Sequence, residues 1–217
     1  MEETAFWITD TETTGLHADQ GDRIIQIACV EIKNNKLSGR EFSTYVDPKN
    51  KKISYDAWKV HGIDKDKLKE LNALEYSNAY KNFIEIIEDK PLIIHNAEFD
   101  VEFFKHNCAS DNLEMFDNPV LDSINLAKAL WPGRPVSLDI LASRLNIPNR
   151  RKEKHDALID CRLLAEVWLA MVQERNNLNS QKTFFADSEI GEISNSDKTT
   201  LAWPNNLISF DDEPSLF

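Results

Sequence analysis

The chain has 217 residues, 41% of them hydrophobic, and a formal net charge of −12. This length and composition are ordinary for one globular domain with some additional chain. No apolar run is long enough to span a bilayer, and the first residues lack the pattern of a secretory signal. Three scattered cysteines form no Cys-x-x-Cys pair. We therefore expect a cytoplasmic protein with reduced thiols and no membrane segment, and not one that coats nucleic acid through basic surface.

The charge divides unevenly along the chain. Residues 176–217 contain two lysines and seven acids, which leaves −5 there and −7 on residues 1–175. The later segment is rich in Asn, Ser, Asp and Thr and has no sustained periodicity, which predicts a flexible acidic tail after a folded domain. A negative domain does not exclude a nucleic-acid substrate, because bound cations would cancel part of its charge.

The predicted elements begin with strands and continue with alternating strands and helices. Alternating, β-branched runs indicate strands, and apolar residues at helical spacing indicate helices. In chain order they are strands 6–11, 23–33 and 36–46, helices 55–60, 64–71 and 78–88, strand 91–95, helix 96–108, strand 120–121, and helices 123–130, 137–145 and 156–175. This order favours an α/β domain with a mixed sheet that begins as an antiparallel unit.

Asp10 and Glu12 place two carboxylates in a strand that the pattern predicts to be buried. Side chains two residues apart on a strand point to the same face, so the two acids converge. Like charges at short range do not both stay ionised without a cation, and carboxylate oxygens suit hard ions such as Mg²⁺ or Mn²⁺. Solvated acids at a strand end are the alternative interpretation.

Two later clusters carry further candidates. Asp100 falls in the first turn of a helix that follows a strand, where an acid also suits the helix N-terminus without any metal. His155 precedes the last predicted helix, and Asp160 lies about one turn inside it. A loop histidine near metal-bound water can accept a proton. A surface histidine is the alternative.

Together the three clusters, which read DTETTG, HNAEFD and HDALID, resemble the exonuclease motifs of the DEDDh family of 3′–5′ exonucleases in order and spacing. The segments WKVHGI, PVSLDIL and LLAEVWLAM resemble the proofreading epsilon subunits of bacterial DNA polymerase III. The similarity covers about residues 4–175.

This resemblance implies a ribonuclease-H-like fold, an α/β mixed sheet flanked by helices, here with a flexible C-terminal tail. It implies that Asp10, Glu12, Asp100 and Asp160 bind two divalent cations, Mg²⁺ or Mn²⁺, and that His155 is the general base. Four carboxylates facing two divalent cations sum to zero charge, which accounts for acids in a buried strand. The implied reaction hydrolyses the last phosphodiester of a DNA 3′ end and releases a nucleoside monophosphate.

The resemblance also implies a pocket for the terminal nucleotide. Its residues are Asp10, Glu12, Thr13, Thr14, His61, Phe99 and Asp160. Aromatic and aliphatic faces stack on any base without reading its edge, which suits an enzyme that removes whichever base is wrong. Phe99 fits core packing equally well. The basic run from Arg150 to Lys154 fits either backbone phosphates or a solvated loop.

The tail contains Gln181, Thr183, Phe184 and Phe185, and this Q-x-T-F-F run resembles the peptide with which bacterial replication proteins bind the sliding clamp. Aromatics that fold back onto the domain are the alternative. Further apolar residues follow in an acidic stretch, as is typical of partner-docking peptides. The expected partners are the sliding clamp and the catalytic subunit of DNA polymerase III.

The sequence therefore predicts an exonuclease domain at 1–175 and an acidic tail with partner-binding peptides at 176–217. The predicted function is a 3′–5′ exonuclease that proofreads for DNA polymerase III in the bacterial cytoplasm. A stand-alone DEDDh exonuclease acting on RNA 3′ ends or short oligonucleotides is the alternative. A non-enzymatic adaptor is disfavoured by the full set of acids and the histidine.

Overall fold

A five-stranded sheet of order β3-β2-β1-β4-β5 forms the centre of the computed structural model, which describes residues 5–149 and 154–188, with side chains as far as residue 180. The strands are β1 (Ala5–Thr13), β2 (Ile24–Lys33), β3 (Lys36–Tyr45), β4 (Leu92–Ile94) and β5 (Val120–Asp122). The helices are α1 (Tyr55–His61), α2 (Lys65–Glu70), α3 (Tyr76–Ile87), α4 (Ala97–Ser110), α5 (Ser123–Leu130), α6 (Leu138–Arg144) and α7 (Ala157–Ser188). A short 3-10 turn, Ala18–Gln20, follows β1. The predicted order of strands and helices is confirmed.

The sheet is mixed, as predicted. β1, β2 and β3 pair antiparallel, whereas β4 and β5 run parallel to β1. Asn34 and Asn35 join β2 to β3 with φ of 51° and 58°, which matches the twist of a tight hairpin. All three residues of β4 are buried, as is typical of a parallel strand covered on both faces.

Helices cover both faces of the sheet because β1 alternates between two cores. Trp7 packs among the aromatic residues of α3 and α4, such as Phe83 and Phe104. Ile8, its neighbour, packs against α5, α6 and α7, where Leu164 is fully buried. With both faces covered, polar side chains that need a ligand gather at the ends of the strands.

The last helix is longer than the sequence indicated. α7 continues to Ser188, so the helix end predicted at Arg175 is wrong. No proline or glycine occurs between Arg175 and Ser188, and the chain therefore carries no strong stop signal there. The backbone of the predicted clamp peptide lies in this helix, while its side chains at Gln181, Thr183, Phe184 and Phe185 lie outside the described residues.

Among the helices that the structure describes, none is both long enough and apolar enough to cross a membrane. Residues 189–217, the rest of the predicted tail, lie outside the described part of the chain.

Candidate active site

β1 presents two carboxylates together near its end. Asp10 lies opposite Ala28 of β2, and Glu12 lies opposite Gln26. The pairing register shifts directly after Glu12, and such irregularities re-aim side chains at the ends of strands. Glu12 is nearly buried, with 8% of its surface exposed.

α7 brings a third acid to the same place because it lies close to the sheet. One face of α7 carries small, fully buried side chains every four residues, at Ala157, Cys161 and Ala165. The Cys161 thiol donates to the Ala28 carbonyl oxygen at 3.4 Å. These small side chains let the helix approach β1 and β2, and Asp160, beside Cys161, reaches the carboxylates of β1.

Asp10, Glu12 and Asp160 form a cluster whose candidate ligand oxygens all lie within 4.8 Å of one another. Three carboxylates at such distances repel one another unless they share protons or a cation. An oxygen-only donor set is the kind that hard ions such as Mg²⁺ and Mn²⁺ prefer. The residues present therefore fit a divalent cation.

Asp100, the fourth predicted acid, has a different environment. It is 3% exposed and accepts a hydrogen bond from the Thr11 hydroxyl at 2.7 Å. Burial raises the pKa of Asp100 to about 7. The structure thus gathers three of the four predicted acids and places the fourth against the residue between Asp10 and Glu12.

Asp122 fixes the start of the helix that carries Asp100. Its carboxylate accepts from the N–H of Ile124 at 2.8 Å and caps α5. It also accepts from the N–H groups of Asn96 at 3.2 Å and Ala97 at 3.1 Å, where α4 begins. The sequence reveals the cap, but the second contact joins residues 25 and 26 positions apart and has no local signal.

His155 lies in the loop before α7, as predicted. Its ring Nδ1 is 3.0 Å from Asp160 Oδ2, and its side chain is 43% exposed. Its backbone N–H donates to the Val60 carbonyl oxygen at 3.0 Å. An ionised carboxylate only accepts, so we assign the ring proton to Nδ1, which leaves Nε2 as an acceptor.

Gln26 and Asp156 hold this loop against the sheet, and sequence reasoning missed both. The Gln26 amide accepts from the Ala157 N–H at 3.3 Å and donates to Asp156 Oδ2 at 3.2 Å. Asp156 Oδ1 in turn accepts from the N–H groups of Leu158 and Ile159 and caps α7. The available signal was a polar residue, Gln26, within the otherwise apolar first part of β2, from Ile24 to Val30.

His61 and Thr13, two residues of the predicted nucleotide pocket, contact each other. His61 Nε2 lies 3.2 Å from the Thr13 carbonyl oxygen, and its Nδ1 accepts from the Ile63 N–H at 3.0 Å. Burial lowers the pKa of His61 to about 4, so this ring is neutral at pH 7. Thr14 is also fully buried, and its hydroxyl donates to Asp22 at 3.0 Å.

Phe99 packs against the core, and its role in nucleotide binding stays a prediction. Its ring lies 4.8 Å from that of Phe103, within the core formed with α4. It also lines a cavity of about 370 Å³ together with Leu16 and Asn96. This cavity opens beside the start of α4, where Asp100 lies.

Only the last residue of the predicted basic run is described, and residues 150–153 lie outside the described chain. Lys154 is exposed, and its ammonium group lies 5.3 Å from the centre of the Trp58 ring. The same ammonium donates to the Lys59 carbonyl oxygen. The loop of His155 therefore contacts α1 through both residues 154 and 155.

Comparison with known proteins identifies relatives of this chain. A family model described as exonuclease (RNase_T) matches residues 7–168. The DNA polymerase III subunit epsilon of Rickettsia typhi is 35% identical over 192 residues, which cover 87% of this chain and 80% of that protein. The subunit of the same name from Buchnera aphidicola is 32% identical over 225 residues, covering 94% and 95% of the two chains.

Solved structures share the fold at lower identity. The nuclease domain of 3′hExo, a DEDDh family member bound to rAMP, superposes with a TM-score of 0.68 at 18% identity and covers 78% of this chain and 92% of its own. Exonuclease X in complex with 5′ overhanging duplex DNA gives a TM-score of 0.63 at 23% identity, covering 77% and 91%. The predicted fold class is thereby confirmed.

Proposed function

This chain belongs to the exonuclease family and is a proofreading 3′–5′ exonuclease, and we propose that its acidic cluster holds two divalent cations against the last phosphodiester of a DNA strand. The observation that supports this mechanism is the convergence of Asp10, Glu12 and Asp160 within 4.8 Å, with the His155 ring 3.0 Å from Asp160. Asp100 would complete the set of ligands from its position beside Thr11.

Asp160 and His155 act as a pair in this proposal. Divalent cations in the cluster would neutralise the phosphodiester and lower the pKa of water. Asp160 accepts a hydrogen bond from the Nδ1–H group of His155 and orients the ring, so that Nε2 accepts a proton from the attacking water. The hydroxide forms a bond to phosphorus while the bond from phosphorus to the 3′ oxygen breaks, and that oxygen takes a proton from solvent. The products are a nucleoside 5′-monophosphate and a strand shorter by one residue.

The terminal nucleotide occupies the pocket formed by Thr13, Thr14, His61 and Phe99 in this proposal. Of these four residues, Phe99 lines a cavity of about 370 Å³. The half-buried phenyl ring of Phe99 offers an apolar face rather than hydrogen bonds that read base edges, so removal does not depend on base identity.

DNA and the polymerase III complex are the substrate and the partner that the epsilon-subunit relatives support. We further propose that Gln181 to Phe185 bind the sliding clamp, on the basis of the Q-x-T-F-F pattern on the outer part of α7. A pull-down with clamp and polymerase, using the full chain and a chain ending at Arg175, tests this. Clamp capture that survives the truncation would contradict the proposal.

The decisive experiment offers purified protein matched and mismatched DNA 3′ ends, and an RNA end, in Mg²⁺ or Mn²⁺. We expect faster removal of the mispaired DNA terminus, because a frayed end reaches the site at a lower cost of unpairing. Preference for the RNA end would favour the stand-alone nuclease instead. Turnover that persists in a chelator would contradict the metal mechanism.

The matched variants are Asp10→Asn and Asp117→Asn, the second an exposed acid in the loop before β5. We expect Asp10→Asn to lower kcat by about 10²–10³-fold, as for loss of one charge contact to a transition state. Asp117→Asn should leave kcat unchanged.

A further inference from the structure

The surface of α1 carries aromatic and basic side chains that the mechanism above does not use. Tyr55, Trp58 and His61 follow one another at intervals of three residues, which keeps them close on the helix surface. Their exposed fractions fall from 70% at Tyr55 to 38% at Trp58 and 3% at His61. Tyr55 and Trp58 therefore form an aromatic stripe that begins in solvent and ends beside the buried His61, a residue of the proposed nucleotide pocket.

The stripe is anchored to the catalytic residues at its inner end. The rise of an α-helix places Trp58 about 4.5 Å and Tyr55 about 9 Å from His61 along the axis. Val60, next to His61, accepts the backbone N–H of His155 at 3.0 Å. The Ser54 N–H before the helix donates to the Thr14 carbonyl oxygen at 2.8 Å. A DNA strand that runs outward along these rings therefore starts next to the proposed pocket for its last nucleotide.

The charge around the stripe is positive in a chain that is negative overall. Residues 49–69 contain seven lysines and three aspartates, whereas the whole chain carries −12. The Lys59 ammonium lies 5.8 Å from the centre of the Tyr55 ring, and that of Lys154 lies 5.3 Å from the Trp58 ring. The two rings stack on each other at 5.7 Å between centres. Each ring therefore has a lysine ammonium group over it.

We propose that this stripe binds the single-stranded DNA that lies 5′ of the nucleotide being removed. Bases stack on Tyr55 and Trp58 as the Lys59 and Lys154 side chains move from the rings to the phosphates between the bases. Exposed aromatic faces interleaved with lysines suit a single strand of any sequence, because every base has a π-face and every linkage a negative charge. The proposal rests on the proposed function for the direction of the strand, and it adds a second binding site for two or three unpaired nucleotides.

The test compares a two-residue and a six-residue oligothymidylate in the full-length protein. Binding is measured by fluorescence anisotropy in Ca²⁺, with the strand checked to be intact, and hydrolysis is measured in Mn²⁺. We expect Trp58→Ala to raise the Kd of the six-residue strand by about fivefold to 100-fold, the range of one base–aromatic stack. The Kd and kcat for the two-residue strand should not change, because it does not reach the stripe.

Three controls separate this effect from damage to the fold. Trp58→Phe should restore most of the affinity, and Leu37→Ala, which shortens an exposed side chain on β3, should change nothing. Lys59→Gln should lower the slope of log Kd against log salt concentration by about 0.7, the loss of one phosphate contact on a single strand.

Equal losses on both strands, or no loss on the six-residue strand, would overturn the proposal. So would a Trp58→Ala variant that binds DNA normally but no longer binds the polymerase catalytic subunit, since the stripe would then be a protein-docking face. If the wild-type protein hydrolyses no DNA while its binding of the longer strand depends on Trp58, the proposed function is contradicted and the proposed DNA binding by the stripe is supported.

Discussion

Two histidine-bearing segments border the acidic cluster, and they are held in opposite ways. His61 ends α1 with 3% of its surface exposed, and both of its ring nitrogens contact backbone groups of Thr13 and Ile63. His155 lies in a loop with 43% of its side chain exposed, and its Nδ1 contacts Asp160. Burial lowers the pKa of His61 to about 4. The first ring is neutral at pH 7 and held by backbone groups, whereas the second ring is partly exposed and contacts the Asp160 carboxylate.

In the proposed mechanism, neighbouring groups and not residue type distinguish the histidine that accepts a proton from the one that stays neutral. The two segments are also joined, because the N–H of His155 donates to the Val60 carbonyl oxygen and Lys154 donates to that of Lys59. The end of α1 that carries His61 and the loop that carries His155 are therefore in direct contact beside the acidic cluster.

The largest expected effect comes from removing the reactive ring. His155→Ala should lower kcat by about 10²–10⁴-fold, the usual contribution of a general base, and should leave Mn²⁺ affinity nearly unchanged because Asp160 is intact. Steady-state kinetics at saturating Mn²⁺ and a Mn²⁺ titration measure the two. His17→Ala, at an exposed histidine, is the control. A variant that keeps near-full turnover would contradict the assignment of His155 as the general base.

Gln26→Leu tests whether the reactive segment depends on its contact with β2. The change leaves the Ala157 N–H without its acceptor and removes a donor to Asp156. The free energy of unfolding should therefore fall by about 1–3 kcal/mol. We expect kcat to fall with little change in KM, because the His155 loop loses its position. Urea unfolding and kinetics check this, with the exposed Gln173→Leu as control. Stable protein with normal kcat would show that the contact has no positioning role.

His61→Gln tests the buried segment through the pH dependence of stability. The pKa of His61 is about 4 in the folded protein and near 6.5 in the unfolded chain. Below pH 6.5 the unfolded chain binds the extra proton, so the stability from neutral His61 is complete above that pH and is lost as the pH falls toward 4. Between pH 7.5 and 5 the wild type should lose about 2 kcal/mol more than the variant. Parallel urea-derived curves would contradict a buried neutral ring.

Gly62→Ala disturbs the junction of the two segments and has the smallest expected effect. Gly62 has φ of +69°, and a Cβ there would lie 3.3 Å from Cγ of Lys154. Gly21→Ala is the matched control, because Gly21 has φ of +81° and nothing within 4 Å of its Cβ position. Both should lose about 1–2 kcal/mol in unfolding free energy, but only Gly62→Ala should also slow turnover a few-fold. Equal kinetics in the two variants would show that the junction does not position His155.

The sequence predicted the fold well wherever the signal was local. Alternating residues marked β2, two asparagines marked its hairpin, and apolar spacing marked the start of α7. The sequence did not reveal the contacts that assemble the site. Gln26 and Asp156 meet only once α7 packs on the sheet, and the hydrogen bond from Thr11 to Asp100 depends on where α4 begins. The extension of α7 beyond Arg175 was missed because polar composition resembles that of a tail, although no residue there stops a helix.

Asp160 and the candidate clamp peptide lie on one continuous helix. At 1.5 Å per residue, about 31 Å of helix separates Asp160 from Gln181. A replication protein that binds the outer end of α7 would therefore fix the distance and orientation of Asp160 relative to that protein, because the helix between them is continuous.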